Sequence, residues 1–256
     1  MGILTQRRVA LGGRGLHVVQ GGRGTPSVLL EAGFGCDSGL WRDVQERVAR
    51  MTACYSYDRA DHGSSDWAGP WSFEAWVTDL DAWVAELAVP PPYVLAGHSF
   101  GGHIVRAFAA RHPGEVAGMV LVDARHQRWR EMLPDFFHAR LRDLGPYDTE
   151  QALHADEVVR GLPGLGRVPL TVITHGRADW IPAEFGFGAT ELERCEQAWQ
   201  DMQRDLAAQT PGSVFRVAAQ SGHLIPADSP ELVAEEILAL VAGPTTAGER
   251  AGLGGP

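Results

Sequence analysis

Short apolar runs alternate along this chain with longer stretches in which apolar residues recur every three or four positions. Residues 6–11 and 15–20 are the first two runs. Each is followed by paired glycines, Gly12-Gly13 and Gly21-Gly22, a pattern that predicts an opening antiparallel hairpin. Residues 27–32 read as a buried strand, and 53–58, 93–96, 118–122, 170–174 and 214–218 as further strands. Helical spacing appears between them. Leu40, Trp41, Val44 and Val48 share one face, and Phe73, Trp76, Val77, Leu80, Val84 and Leu87 another. Ser72 is a suitable N-cap for the second helix and Pro90 to Pro92 stop it. Residues 100–111 read as a helix, and the closing helix starts at Ser229-Pro230-Glu231, a serine cap with proline in the first turn.

Strands that alternate with helices imply a mostly parallel sheet covered on both faces. One interval breaks the rhythm. Residues 124–167 carry Trp129, Met132, Leu133, Phe136, Phe137 and Leu141 at helical spacing and read as a helical insertion over the C-terminal edge of the sheet, where ligands bind in such folds. The expected organisation is a core of residues 1–123 and 168–243, the insertion, and a frayed tail over 244–256, rich in Gly, Thr and Ala.

Composition narrows the function. With 45% apolar and 21% charged residues over 256 positions, the chain can bury one sizeable core. Its net charge of -10 disfavours nucleic acid, and no basic run addresses an anionic membrane. Every basic residue is Arg; the absence of Lys removes Schiff-base chemistry and the phosphate-loop lysine. Three cysteines, Cys36, Cys54 and Cys195, form no disulfide framework, and neither a CxxC nor an HExxH pair supplies metal-ligand spacing. No metal or cofactor is expected. The first residues lack a signal-peptide core, Gln6 breaks the myristoylation pattern, and no apolar run reaches membrane-spanning length, so a cytoplasmic protein is expected.

The chemistry concentrates in Gly97-His98-Ser99-Phe100-Gly101-Gly102, between a predicted strand and a predicted helix. A serine between glycines at such a junction sits on a sharp turn that lifts its hydroxyl above the sheet, with the positive end of the helix behind it. A serine hydroxyl needs a base to become a nucleophile. His223, in Ser221-Gly-His223 between the last strand and the last helix, opens at the same edge and is the best placed of ten histidines. His98 is expected to face away from the turn. His62 and His175 end strands at that edge and could line a pocket, and Cys36 could touch it.

With these motifs in this order, the chain resembles capped serine hydrolases of the α/β-hydrolase fold over nearly its whole length. Glu31-Ala-Gly-Phe-Gly35 stands where that family has its oxyanion loop, with Ala-Gly in place of the commoner His-Gly. Tyr57-Asp-Arg-Ala-Asp-His-Gly-Ser-Ser-Asp66 is similar to the family's D-R-x-G-x-G-x-S loop, with Asp61 in place of a Gly. The resemblance implies an eight-stranded, mostly parallel sheet flanked by helices, with a helical cap after the sixth strand. It further implies a Ser–acid–His triad in that chain order and an oxyanion hole from the backbone N–H groups of Phe34 and Phe100. Two residues are candidates for the acid. Asp179, in His175-Gly-Arg-Ala-Asp179, follows the seventh strand as in most members, although its distance from His223 in the chain is longer than usual. Asp123 ends the sixth strand, as in some members, and its place at the end of an apolar run favours it.

The expected activity is cleavage of an ester, thioester, lactone or amide of a small apolar substrate through an acyl-enzyme on Ser99. An acyltransferase or cyclase using the same residues, and a ligand receptor that keeps the pocket, are the alternatives. A dehalogenase or epoxide hydrolase is disfavoured, because those relatives carry Asp at the turn.

Overall fold

The computed structural model describes residues 4–67, 69–141, 150–181 and 183–243. The expected tail over 244–256 and residues 142–149 of the expected insertion lie outside them. Eight strands, β1 (Leu4–Leu11), β2 (Arg14–Gly21), β3 (Ser27–Glu31), β4 (Cys54–Tyr57), β5 (Tyr93–His98), β6 (Val116–Val122), β7 (Leu170–His175) and β8 (Val214–Ala218), form one sheet in the order β1-β2-β4-β3-β5-β6-β7-β8. β1 and β2 make the predicted hairpin, with Leu11 paired to Arg14 across the two glycines, and β2 is antiparallel to β4. Every other pairing is parallel.

The period of two along each strand sends alternate residues to opposite faces. Val28, Leu30, Val94, Ala96, Val120 and Val122 pack under Val44 and Val48 of α1 (Arg42–Val48) and Val233 and Ile237 of α9 (Pro230–Ala242). Leu29, Leu95, Met119 and Leu121 face Trp76 and Leu80 of α2 (Phe73–Glu86) and Ile104 and Phe108 of α3 (Gly101–Arg111). A sheet covered on both faces needs continuously apolar strands, and that is why 27–32, 93–96 and 118–122 show no polar alternation. Ser72 caps α2 as expected, its side chain accepting from the Ala75 N–H.

Between β6 and β7 run α4 (Trp129–Met132), α5 (Asp135–Leu141) and α6 (Glu150–Gly161). They divide. Trp129, Leu133 and Phe137 join a third apolar cluster with Phe185 and with Cys195, Trp199 and Met202 of α7 (Ala189–Ala208). Ala152, Ala155 and Val159 of α6 join the cluster that holds α2 and α3 instead. The layer above the sheet edge therefore draws on two intervals of the chain, the one after β6 and the one after β7. Among the described residues no helix is long and apolar enough to cross a membrane.

Candidate active site

The turn from β5 into α3 is shaped by two glycines. A Cβ on Gly97 would lie 2.7 Å from the Gly101 carbonyl oxygen, and one on Gly101 would lie 2.5 Å from the Glu31 carbonyl oxygen. Backbones approach too closely there for any side chain. Between them Ser99 holds φ at 51°, a left-handed conformation that costs about 1–3 kcal/mol for a non-glycine residue. Surrounding backbone offsets that cost. The Ser99 N–H donates to Val122 O (3.0 Å), and Ser99 O accepts from the Arg125 N–H (2.9 Å).

Asp123 follows directly on β6 and is also left-handed, with φ at 46°. Its N–H donates to Ile173 O at 2.7 Å, and its carboxylate has no exposure to solvent. His223 lies in the turn between β8 and α8 (Ile225–Asp228). The three side chains meet in a line. His223 Nε2 lies 3.1 Å from Ser99 Oγ, and His223 Nδ1 lies 2.6 Å from Asp123 Oδ2. With Nδ1–H donating to the carboxylate, the Nε2 lone pair faces the serine hydroxyl. That is the arrangement general-base activation of a hydroxyl requires.

Asp123 has further partners. His175 Nδ1 donates to the same Oδ2 at 2.7 Å. Oδ1 accepts from Trp199 Nε1 at 2.9 Å and from Thr174 Oγ1 and the His175 N–H at 3.2 Å each. Burial alone would raise the carboxyl, but its hydrogen bonds with His175 and His223 outweigh that and hold it well below the usual carboxylate range. Burial would lower His175; its bonds to Asp123 and Glu196 instead push it up to about 10, so it is an imidazolium at neutral pH.

Several sequence expectations need correction. Asp179, the other candidate acid, lies on a turn after β7, is largely exposed and pairs with Arg177, not with His223. A residue on an open turn finds the nearest guanidinium. His98 does not face away. It is buried, its Nε2 donates to the His223 carbonyl at 2.9 Å, and the two rings stand 4.8 Å apart. Burial pushes it down to about 3, so the ring is neutral and acts as a strut under the histidine turn. His175 sits behind Asp123 and not on the cavity wall. His62 Nδ1 donates to Ala60 O and the ring packs edge-on against Trp76, away from the cavity. Cys36 does touch the cavity. Asp61, where the related loop has Gly, takes φ at 70°, a conformation aspartate tolerates better than most residues.

Phe34 and Phe100 both line the cavity beside Ser99, with ring centroids 5.8 Å apart. The loop that carries Phe34 is fixed by Arg59. This buried guanidinium donates to the carbonyls of Ala32 and Gly33 and pairs with the buried Glu31 carboxylate. Arg59→Met should therefore destabilise the protein by about 3–5 kcal/mol, because it strands a buried charge. The additional change Glu31→Gln should recover part of the loss. Urea unfolding of the single and double variants checks both.

The cavity over Ser99 and His223 measures about 250 Å³. Trp129, Phe137, Trp180, Phe185 and Trp199 form most of its far wall. Of the insertion's helically spaced aromatics, Trp129 and Phe137 reach the cavity and Phe136 does not, while Trp199 and its indole bond to Asp123 were not anticipated. Its signal was present: Cys195, Trp199, Met202 and Leu206 recur at helical spacing and are buried in α7. Among the described residues, one group of three potential metal ligands has its atoms within 4.8 Å, namely Asp123, His175 and His223. It does not fit a cation. Both Nδ1 atoms carry protons directed at Asp123 Oδ2, and a protonated His175 offers no lone pair.

The comparisons with known proteins agree with this architecture. A model of the α/β-hydrolase fold family matches residues 26–237. Protein YqjL of Bacillus subtilis (strain 168) is 25% identical over 213 residues, 81% of this chain and 80% of its own length. Lipase LipV of Mycobacterium tuberculosis is 33% identical over 109 residues, 42% of this chain and 41% of its own. A thermophilic esterase from Thermogutta terrifontis superposes with a TM-score of 0.62 at 22% identity, over 91% of this chain and 97% of that one, a likeness of fold.

Proposed function

Because the chain belongs to the α/β-hydrolase fold family, we propose that it is a serine hydrolase cleaving an ester, thioester, lactone or amide of a small, apolar substrate. One observation carries this reading: Ser99 Oγ, His223 and Asp123 stand in line at 3.1 Å and 2.6 Å. Ser99 Oγ attacks the substrate carbonyl carbon while His223 Nε2 takes its proton. The tetrahedral oxyanion is held by the backbone N–H groups of Phe34 and Phe100. As it collapses, His223 returns the proton to the leaving oxygen, nitrogen or sulfur. Water then repeats the sequence on the acyl-enzyme, delivering its proton through His223 and freeing the acid. Asp123 keeps the imidazole in the required tautomer and stabilises the imidazolium without taking the proton.

The substrate class follows from the wall. Seven phenyl and indole rings and few polar groups favour an apolar acyl or alcohol portion. In this reading α4 and α5, together with α7, act as a cap. The partial likeness to a lipase and the shared fold with an esterase agree with carbonyl chemistry.

The test pairs a fluorophosphonate probe with p-nitrophenyl esters of increasing acyl length. One adduct, mapped by mass spectrometry to Ser99, is expected, with turnover that peaks at short to medium chains and declines once the acyl group outgrows a cavity of about 250 Å³. A chain that is neither labelled nor active would sink the proposal.

A further inference from the structure

The carboxylate of Asp123 is shared by two histidines at one oxygen. His223 Nδ1 and His175 Nδ1 approach Oδ2 at 2.6 Å and 2.7 Å, while Oδ1 takes the three neutral donors. On its other side, His175 Nε2 donates to Glu196 of α7, 3.0 Å from Oε2 and 3.2 Å from Oε1. His175 has no exposed side-chain surface and Glu196 is only 22% exposed. Glu196 is fixed in turn by Trp180 Nε1 at 2.9 Å and Gln200 Nε2 at 2.8 Å. A surface ion pair would not be built this way.

We propose that His175 and Glu196 are positioning residues for the reaction on Ser99, extending it to a continuous hydrogen-bonded chain Ser99–His223–Asp123–His175–Glu196. The inference rests on the serine-hydrolase reading for its kinetic consequence, but not for its protonation consequence.

The charges show what the pair does. An ionised carboxylate with no solvent contact is costly unless it is compensated. A cationic His175 supplies that compensation from β7, and Glu196 keeps His175 cationic from α7. The other titratable groups near this core are His223 and, beyond it, the neutral His98 on β5. The negative charge seen by His223 is thus that of Asp123 tempered by an imidazolium. The chain also reaches the substrate cavity. Trp199 and Trp180 line it, and their indole N–H groups hold Asp123 and Glu196 respectively. The cavity wall and the support of the acid are therefore the same side chains.

Two measurements test this. In the unmodified protein, imidazole ¹⁵N resonances should show His175 doubly protonated through neutral pH; Glu196→Gln should make it lose its proton at lower pH than in the parent. In kinetics, His175→Gln keeps a donor toward Asp123 but removes the cation. Loss of a neighbouring positive charge favours protonation of the carboxylate it supported. The acid limb of kcat/KM should move up by about 0.5 pH unit or more, with kcat down about tenfold and KM little changed. A neutral His175 ring at pH 7 overturns the proposal whether or not the chain turns over esters. So does a labelled, active His175→Gln variant whose pH profile superimposes on the parent's. An unlabelled, inactive parent whose His175 is cationic refutes the hydrolase reading and the pair's kinetic role, and leaves the buried charge pair standing.

Discussion

Ser99→Ala should lose essentially all ester turnover, a fall of about 10⁴- to 10⁶-fold, and all fluorophosphonate labelling, with its fold intact. Ser99 accepts its unusual backbone because hydrogen bonds from β6 and the segment after Asp123 hold it there, not because of its own hydroxyl. Alanine tolerates that backbone about as well, so circular dichroism and the unfolding midpoint should barely change. The variant then separates the readings. A receptor would bind an apolar ligand in the cavity equally well with Ser99 or alanine and turn over nothing in either form. An acyltransferase would label at Ser99 but release product fast only when an alcohol or amine acceptor is added. A hydrolase needs water alone.

The second large effect is expected at Asp123. Asp123→Asn keeps the shape of the side chain but turns one acceptor oxygen into a donor NH₂, facing a site where two histidines and an indole all donate. His223 would lose the acceptor that holds its Nδ1–H and could present the wrong tautomer to Ser99. Turnover should fall by about 10³- to 10⁴-fold. Asp179→Asn, which disturbs only an exposed pair with Arg177, should stay within about twofold of the parent. Stability adds an independent signature. The folded-state pKa of Asp123 is depressed, so it stabilises the fold at pH values above its unfolded pKa, near 4, and that contribution is lost as the pH falls. The gap in urea midpoint between the parent and Asp123→Asn should therefore be widest at neutral pH and begin to narrow as the pH falls below about 4.

Strand runs, the turn at Ser99 and the histidine turn were legible in the sequence because each is local. Continuous apolarity marks a strand covered on both faces, and a glycine two residues either side of Ser99 marks a backbone crossing. The acid was not decidable from local pattern. Asp123 directly follows one predicted strand and Asp179 lies a few residues beyond another, and only the contact in three dimensions shows which one faces His223. His98 was misjudged for a related reason. The turn at Ser99 reverses the alternation expected from a straight strand, and its ring swings under His223. Glu196 carried no signal as a partner of His175, because a contact between the end of a strand and the flank of a helix 21 residues away leaves no fixed spacing.

Ser99 and Asp123 hang from adjacent parallel strands at the same level, His98 being in register with Val122. The attacking group and its distant anion are thus mounted on one rigid ladder, and the exposed turn at 177–179 bears none of the chemistry. That turn is open to redesign. Grafted loops of altered length could enter between Arg177 and Asp179 to reshape the approach to Trp180 and Ile181, changing which substrates are admitted so long as the Arg177 N–H keeps its bond to Ser221 O and Trp180 its bond to Glu196. A library varied there should yield changed selectivity at undiminished labelling, which makes the segment after β7 a natural entry point for evolving new specificities on this scaffold.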